Sequence, residues 1–189
     1  MPDLELDDFR WSALARYHDN ALEAANVLVA FARMKVHSHW DYAESFHVRR
    51  TIKMMDLMHQ FALNARKAIE ISENYVPGIK AAAKKTKLDG SGSEVEVDIG
   101  DRIILCDEDF WWIIGRIIHS QEVHVEDETI LGDVSERHIE SDIAPKFFGF
   151  RSDFDESETM HYISIEALIQ CYVDVFSGKI EEAKRIRSA

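Results

Sequence analysis

Four side chains have the types and spacing to do chemistry: Arg116, His119, His18 and His59. Arg116 and His119 are three positions apart, so on one helix they lie a turn apart and reach each other. Together they offer the two tasks of metal-independent RNA cleavage. The His119 imidazole would take the proton of a ribose 2′-hydroxyl, and the Arg116 guanidinium would stabilise the anionic phosphorane. His18 lies in an apolar stripe between Leu14 and Ala21, and His59 in another between Met55 and Ala62. His39 stands 21 residues after His18 and 20 before His59, at a break between two helical patterns. If the chain folds back there, His18 and His59 face each other at one level. With His119 they would form a three-imidazole set that suits Zn²⁺ with one open position, the site of a metal-dependent hydrolase. The commoner fate of a histidine in an apolar stripe is structural, with its nitrogens satisfied by neighbouring hydrogen bonds.

The elements that must position these groups are helices. Trp11, Leu14, His18, Ala21, Ala25, Leu28 and Ala32 recur in steps of three and four, which predicts a helix from Asp7 or Asp8 to about Val36. A second is expected from about Tyr42 to Ser72, its stripe made of Val48, Ile52, Met55, His59, Ala62 and Ile69 and thickened by Phe46, Met54, Leu57, Phe61, Ala65 and Ala68. So short a break implies a long antiparallel helical hairpin. A third helix is expected from Asp107 to about Val123, with Asp107, Glu108 and Asp109 at its positive end. Its apolar side holds Phe110, Trp111, Ile113, Ile114, Ile117 and Ile118, while Trp112, Gly115, Arg116, His119 and Val123 share the other. A second side this apolar needs a partner: another helix, a second subunit or a ligand. A fourth helix is capped by Ser164, buries Ile165, Leu168, Ile169, Tyr172 and Phe176, and ends at Gly178.

Between these, residues 79–93 form a basic connection closing in Gly and Ser, expected as a mobile linker or, through Lys80, Lys84, Lys85 and Lys87, a phosphate-touching arm. Val95 to Leu105 has room for a strand or two, and a small β-hairpin is expected at about 145–163, before the last helix. The fold class read from this order is mainly α, a single domain over 1–189 built as a bundle of about four helices.

The segment Asp109-Phe110-Trp111-Trp112-Ile113-Ile114-Gly115-Arg116-Ile117-Ile118-His119-Ser120 resembles a helix of HEPN-like bacterial helical-bundle proteins. The resemblance covers this helix and, loosely, the helix order. It implies a homodimer linked to toxin–antitoxin or phage-defence systems and, in active members, a metal-independent ribonuclease. That family's nuclease motif is Arg, four to six residues, then His. Arg116 and His119 have two residues between them, whereas Arg33 and His39 have five but lie at the end of the first helix. The resemblance therefore favours an interaction module, dimeric through Trp112 or Val123, with the ribonuclease as the alternative.

Composition narrows the remaining classes. The chain has 189 residues, 46% of them hydrophobic, with 3 prolines and 8 glycines, enough for one real core and unlike a disordered chain. Its net charge is −13, and the two halves differ: residues 1–90 hold 13 basic and 12 acidic side chains, residues 91–189 hold 9 and 23. That disfavours a nucleic-acid coat or an anionic-membrane binder, although RNA has a route through the first half and a basic protein partner through the second. No apolar run approaches the ~18 residues of a membrane span, and the acidic start is unlike a signal peptide. Two cysteines, Cys106 and Cys171, make no disulfide framework, so a reducing cytoplasm is expected. Phosphate-binding Gly-rich loops, nucleophile elbows and Cys-x-x-Cys or His-Glu-x-x-His motifs are absent, and no cofactor is called for. Glu44-x-x-His47 and Asp56-x-x-His59 are carboxylate–histidine pairs, but a di-iron bundle needs further glutamates on facing helices.

Overall fold

A computed structural model describes residues 2–34, 42–88, 94–96, 102–106, 108–126, 146–153 and 159–186. The protein is mainly helical, with a sheet packed against the helices. Helix α1 (Pro2–Arg33) buries Leu14, His18, Ala21, Ala25, Leu28 and Ala32, the expected stripe. Helix α2 (Ala43–Ser72) packs along it. Near its start, the buried Arg50 donates from one Nη to the carbonyl of Met34, just past α1, at 2.6 Å. Its other Nη donates to His47 Nδ1 at 2.8 Å, so the His47 of the Glu44–His47 pair is held by an arginine.

The row expected to thicken the stripe of α2 forms the centre of its buried side, joined by Ala62 and Ile69 of the expected stripe. Met54, Leu57, Met58, Phe61, Ala65 and Ala68 enter the core, while Val48 and Ile52 stay 54% and 55% exposed. At ~100° per residue the centres of the two rows lie roughly 150° apart, so the helix buries one row and only the near edge of the other. The row that wins carries Phe61, whose ring meets the Tyr172 ring edge-on at 5.5 Å, and alanines that let α1 approach closely.

The connection at 79–93 is not wholly a linker. Gly78 takes φ +92°, a conformation open to glycine, and Glu73 accepts hydrogen bonds from the Gly78 and Lys80 backbone N–H groups. Those bonds hold the Glu73 carboxyl below its usual range. Helix α3 (Ile79–Ala83) then buries Ile79 and Ala83, and Leu88 also joins the core; residues 89–93 lie outside the described ones.

Strands β1 (Glu94–Glu96) and β2 (Arg102–Leu105) precede helix α4 (Phe110–Ile118), followed by β3 (Ser120–Glu126), β4 (Phe147–Ser152) and β5 (Thr159–Ser164). The expected hairpin is therefore the β4–β5 pair of a larger sheet, ordered β1-β2-β5-β4-β3, with β2 and β5 parallel and the other neighbours antiparallel. Gly149 of β4 pairs with Tyr162, and a Cβ there would lie 2.6 Å from the tyrosine ring. The third helix is shorter than expected. It stops at Ile118, because Glu122 to Glu126 alternates polar and apolar residues, the period of a strand. Helix α5 (Ile165–Cys171), capped by Ser164, passes through a π-helical segment (Tyr172–Ser177) into α6 (Gly178–Ile186). Gly178 does not end the run. Its backbone is helical (φ −59°, ψ −40°), and burial of Ile180 and Ala183 beyond it offsets the ~1 kcal/mol cost of a glycine inside a helix. Among the described residues, no helix is long and apolar enough to cross a membrane.

Candidate functional site

Helix α4 starts where its sequence says it should. The Asp109 carboxylate accepts the Trp112 N–H at 2.8 Å, and the Phe110 N–H donates to Thr86 O at 2.9 Å. Phe110, Ile113, Ile114 and Ile117 are fully buried on one side. The other side meets the protein's own sheet. The Trp112 ring stands edge-on to His161 at 5.2 Å and tilted to Phe150 at 6.3 Å. Arg116 lies over Trp112, its guanidinium carbon 4.9 Å from the ring centroid, and donates to Ser152 Oγ at 2.8 Å. Val123 pairs with Phe150 in β3 and is not on the helix at all. The apolar second side therefore has its partner within the chain, and a subunit interface through Trp112 or Val123 is no longer called for.

His119 ends α4. Its N–H reaches the Gly115 and Arg116 carbonyls, and its side chain is exposed. The next residue, Ser120, opens β3 opposite Ser152, with a register shift before Glu122. Ser120 Oγ lies 2.8 Å from Ile117 O and 2.9 Å from His59 Nε2, and His59 Nδ1 lies 2.9 Å from Met55 O. The partners assign the tautomer. Met55 O only accepts, so Nδ1 carries the proton, and Nε2 is an acceptor facing the Ser120 hydroxyl. That hydroxyl thus has two competing acceptors, a helix-end carbonyl and an imidazole. A base aligned on a hydroxyl and oriented from behind is the arrangement that activates oxygen nucleophiles. Arg116 and His59 therefore reach the Ser152 and Ser120 hydroxyls of the pair that opens β3, and His119 is the neighbour of Ser120 in the chain.

His18 is elsewhere, and fully buried. Its Nδ1 is 2.8 Å from the Tyr172 hydroxyl, and its Nε2 is 3.3 Å from Glu181 Oε1 and 3.4 Å from Ser177 Oγ. A carboxylate only accepts, so Nε2 carries the proton and Nδ1 accepts from Tyr172. Lys184 donates to Glu181 at 2.8 Å and holds that carboxyl below its usual range. Burial first, and then the Lys184 charge, hold His18 below the ordinary imidazole value against the pull of Glu181 and Asp19. Burial also pushes the Tyr172 hydroxyl well up. His18 and Phe61, two residues past His59, both meet the Tyr172 ring. His59 itself meets Ser120 of β3.

Among the described residues, no group of three or more His, Cys, Asp or Glu side chains is placed to hold a metal ion. The His18/His59/His119 zinc site is accordingly corrected, and the Asp56–His59 pair assembles none either. Arg33 donates to Glu166 at 2.7 Å, while its motif partner His39 lies outside the described residues. Lys80 of the basic connection sits over the Trp111 ring at 4.9 Å, beside Arg66, which is 4.8 Å from the same centroid. Cys171 is half-buried, its thiol pushed up to about 11 by burial, as suits a structural residue.

Reading the sequence alone misses Ser120, Ser152, Tyr172, Ser177 and Glu181 as partners of these groups. Ser177 and Glu181 are four apart and share a helix face, a usable signal once the helix is allowed through Gly178. Nothing local marks Ser120 and Ser152, which meet through strand pairing. In comparisons with known proteins, the chain matches no family model, no curated protein and no solved structure.

Proposed function

We propose that this protein is a cytoplasmic, homodimeric interaction module of HEPN-like type, working in a toxin–antitoxin or phage-defence setting, in which α1, α2, α4 and the α5–α6 rod act as a bundle of about four helices. The observation that carries this reading is the outward side of α2, where Val48 and Ile52 are more than half exposed. Large apolar side chains grouped on one exposed face are the usual mark of an interaction surface. The groups with catalytic chemistry support it from the other direction: His18, His59 and Arg116 are each hydrogen-bonded within the fold. Sedimentation equilibrium at micromolar concentration tests the reading. A dimer is expected, and a strict monomer overturns it.

A second reading, a metal-independent ribonuclease, rests on Arg116 and His59 reaching the paired Ser152 and Ser120 beside the exposed His119. His119 is the exposed general base and Arg116 the phosphate stabiliser. RNA cleavage in excess EDTA, abolished by His119→Ala and by Arg116→Ala, is the result this reading requires. Intact RNA after incubation with the unaltered protein removes it.

A further inference from the structure

The outward side of α2 has a mirrored pattern. Tyr42, Ser45, Arg49 and Ile52 follow steps of three, four and three, and Lys53, Asp56, Gln60 and Leu63 repeat those steps. All eight are exposed, Tyr42 81%, Ile52 55% and Leu63 45%. None belongs to the row that enters the core. At ~100° per residue they fall within an arc of roughly 100°, on one side of the helix.

A two-fold axis passing between Ile52 and Lys53 sets a second copy of α2 antiparallel to the first. Positions whose numbers are equidistant from the axis then share a level. Arg49 meets Asp56 of the second copy, and by symmetry Asp56 meets its Arg49. Ser45 stands level with Gln60 of the second copy, polar against polar. Tyr42 stands level with the second copy's Leu63, apolar against apolar. At the axis, Ile52 packs on the aliphatic stem of the opposite Lys53. Parallel packing about the same face would instead put Arg49 on Arg49 and Asp56 on Asp56. The contact runs from Tyr42 to Leu63, a rise of ~32 Å at about 1.5 Å per residue.

We infer that the protein self-associates through this face, α2 antiparallel to α2 of a second copy, with two reciprocal Arg49–Asp56 ion pairs fixing the register. The inference rests on the homodimeric reading above and adds its surface and orientation. An isologous interface requires a self-complementary patch, and the mirrored steps supply one. The charge pairs choose the register more than they supply affinity, which comes from Ile52, Tyr42 and Leu63.

The test uses two charge-reversed full-length proteins, Arg49→Glu and Asp56→Lys, and sedimentation equilibrium. Each variant alone places like charges opposite one another twice per dimer, and its self-association weakens about tenfold. An equimolar mixture of the two restores both pairs. In the mixed dimer the introduced glutamate faces the introduced lysine, while the unaltered Asp56 of one copy faces the unaltered Arg49 of the other. Association in the mixture is expected to return to within about twofold of the unaltered protein. Ile52→Asp removes the central contact and gives a monomer with unchanged far-UV circular dichroism. A mixture that associates no better than its components overturns this surface while leaving the homodimeric reading intact. An unaltered protein that is monomeric overturns both and leaves the face to a different protein.

Discussion

His18 and His59 are a natural pair for comparison. Each sits mid-helix, His18 in α1 and His59 in α2, and the two helices pack together. Their surroundings differ in how hydrogens are shared. Around His18 both ring nitrogens are partnered: Tyr172 gives its hydroxyl proton to Nδ1, and Nε2 gives its own to Glu181, with Ser177 Oγ at the limit of reach. Around His59 the Ser120 hydroxyl has two acceptors, Ile117 O and Nε2, and must leave one. The first arrangement buries the whole imidazole ring, and it ties the C-terminal rod to α1. The second is half-buried and has an alternative state. A buried histidine with a complete set of partners is a structural fastener, whereas one whose neighbour can switch retains the capacity for chemistry.

The largest expected effect comes from breaking the closed site. His18→Ala removes a fully buried ring and leaves the Tyr172 hydroxyl without that acceptor. A cavity and a lost buried bond together cost about 3 kcal/mol. For a domain of this size, that lowers the melting temperature by roughly 6–12 °C, measurable by calorimetry. His59→Ala, by contrast, is expected to cost about 1.5 kcal/mol, since its site is half-buried and water can replace part of what is lost. Equal losses at the two positions would break the distinction between them.

Acid provides a second separation. The folded-state pKa of His18 lies below the ordinary imidazole value near 6.5. Below 6.5 the unfolded chain therefore takes up a proton that the folded chain refuses. The stability associated with the neutral ring is present above 6.5, falls as pH drops from there to the folded pKa, and is constant below it. His47, lowered by burial and then by Arg50, contributes with the same sign. Urea midpoints measured from about pH 8 to 5 should decline for the unaltered protein and decline less steeply for His18→Gln. Parallel slopes would assign the acid sensitivity to His47 instead.

How far these sites are legible in sequence follows from the range of the interactions that make them. The α1 stripe, the Asp109 and Ser164 caps and the β4 and β5 strands depend on neighbours a few residues away, and each is readable. The burial of α2 is read only in part: Ala62 and Ile69 of the expected stripe are buried, but the packing partners of α2 centre the core on the second row and leave Val48 and Ile52 outside. The end of α4 is misread because Arg116 to Val123 fits a helix face nearly as well as Val123 and Val125 fit a strand. The fourth helix is cut at Gly178 by a local rule that burial of Ile180 and Ala183 overrides. Candidate residues fare likewise. Arg116 and His59 meet Ser152 and Ser120, whose pairing is a long-range property of the sheet.

Ser177→Ala and Ser120→Ala give the finest comparison, since each serine faces a histidine Nε2. Ser177 Oγ stands 3.4 Å from His18 Nε2, at the long limit of a hydrogen bond, and Glu181 already takes that proton. Ser120 is 2.9 Å from His59 and also serves Ile117 O at the end of α4. Ser120→Ala therefore removes the one proton for which an imidazole nitrogen and a helix-end carbonyl compete, and about 1 kcal/mol of stability is expected to go with it. Ser177→Ala is expected to cost less than about 0.5 kcal/mol, because the buried network keeps every other partner. Chemical denaturation of both variants, read against the unaltered protein, ranks them. A larger loss at Ser177 would mean that the His18 proton is shared with the serine, and that the closed site is less closed than its geometry suggests.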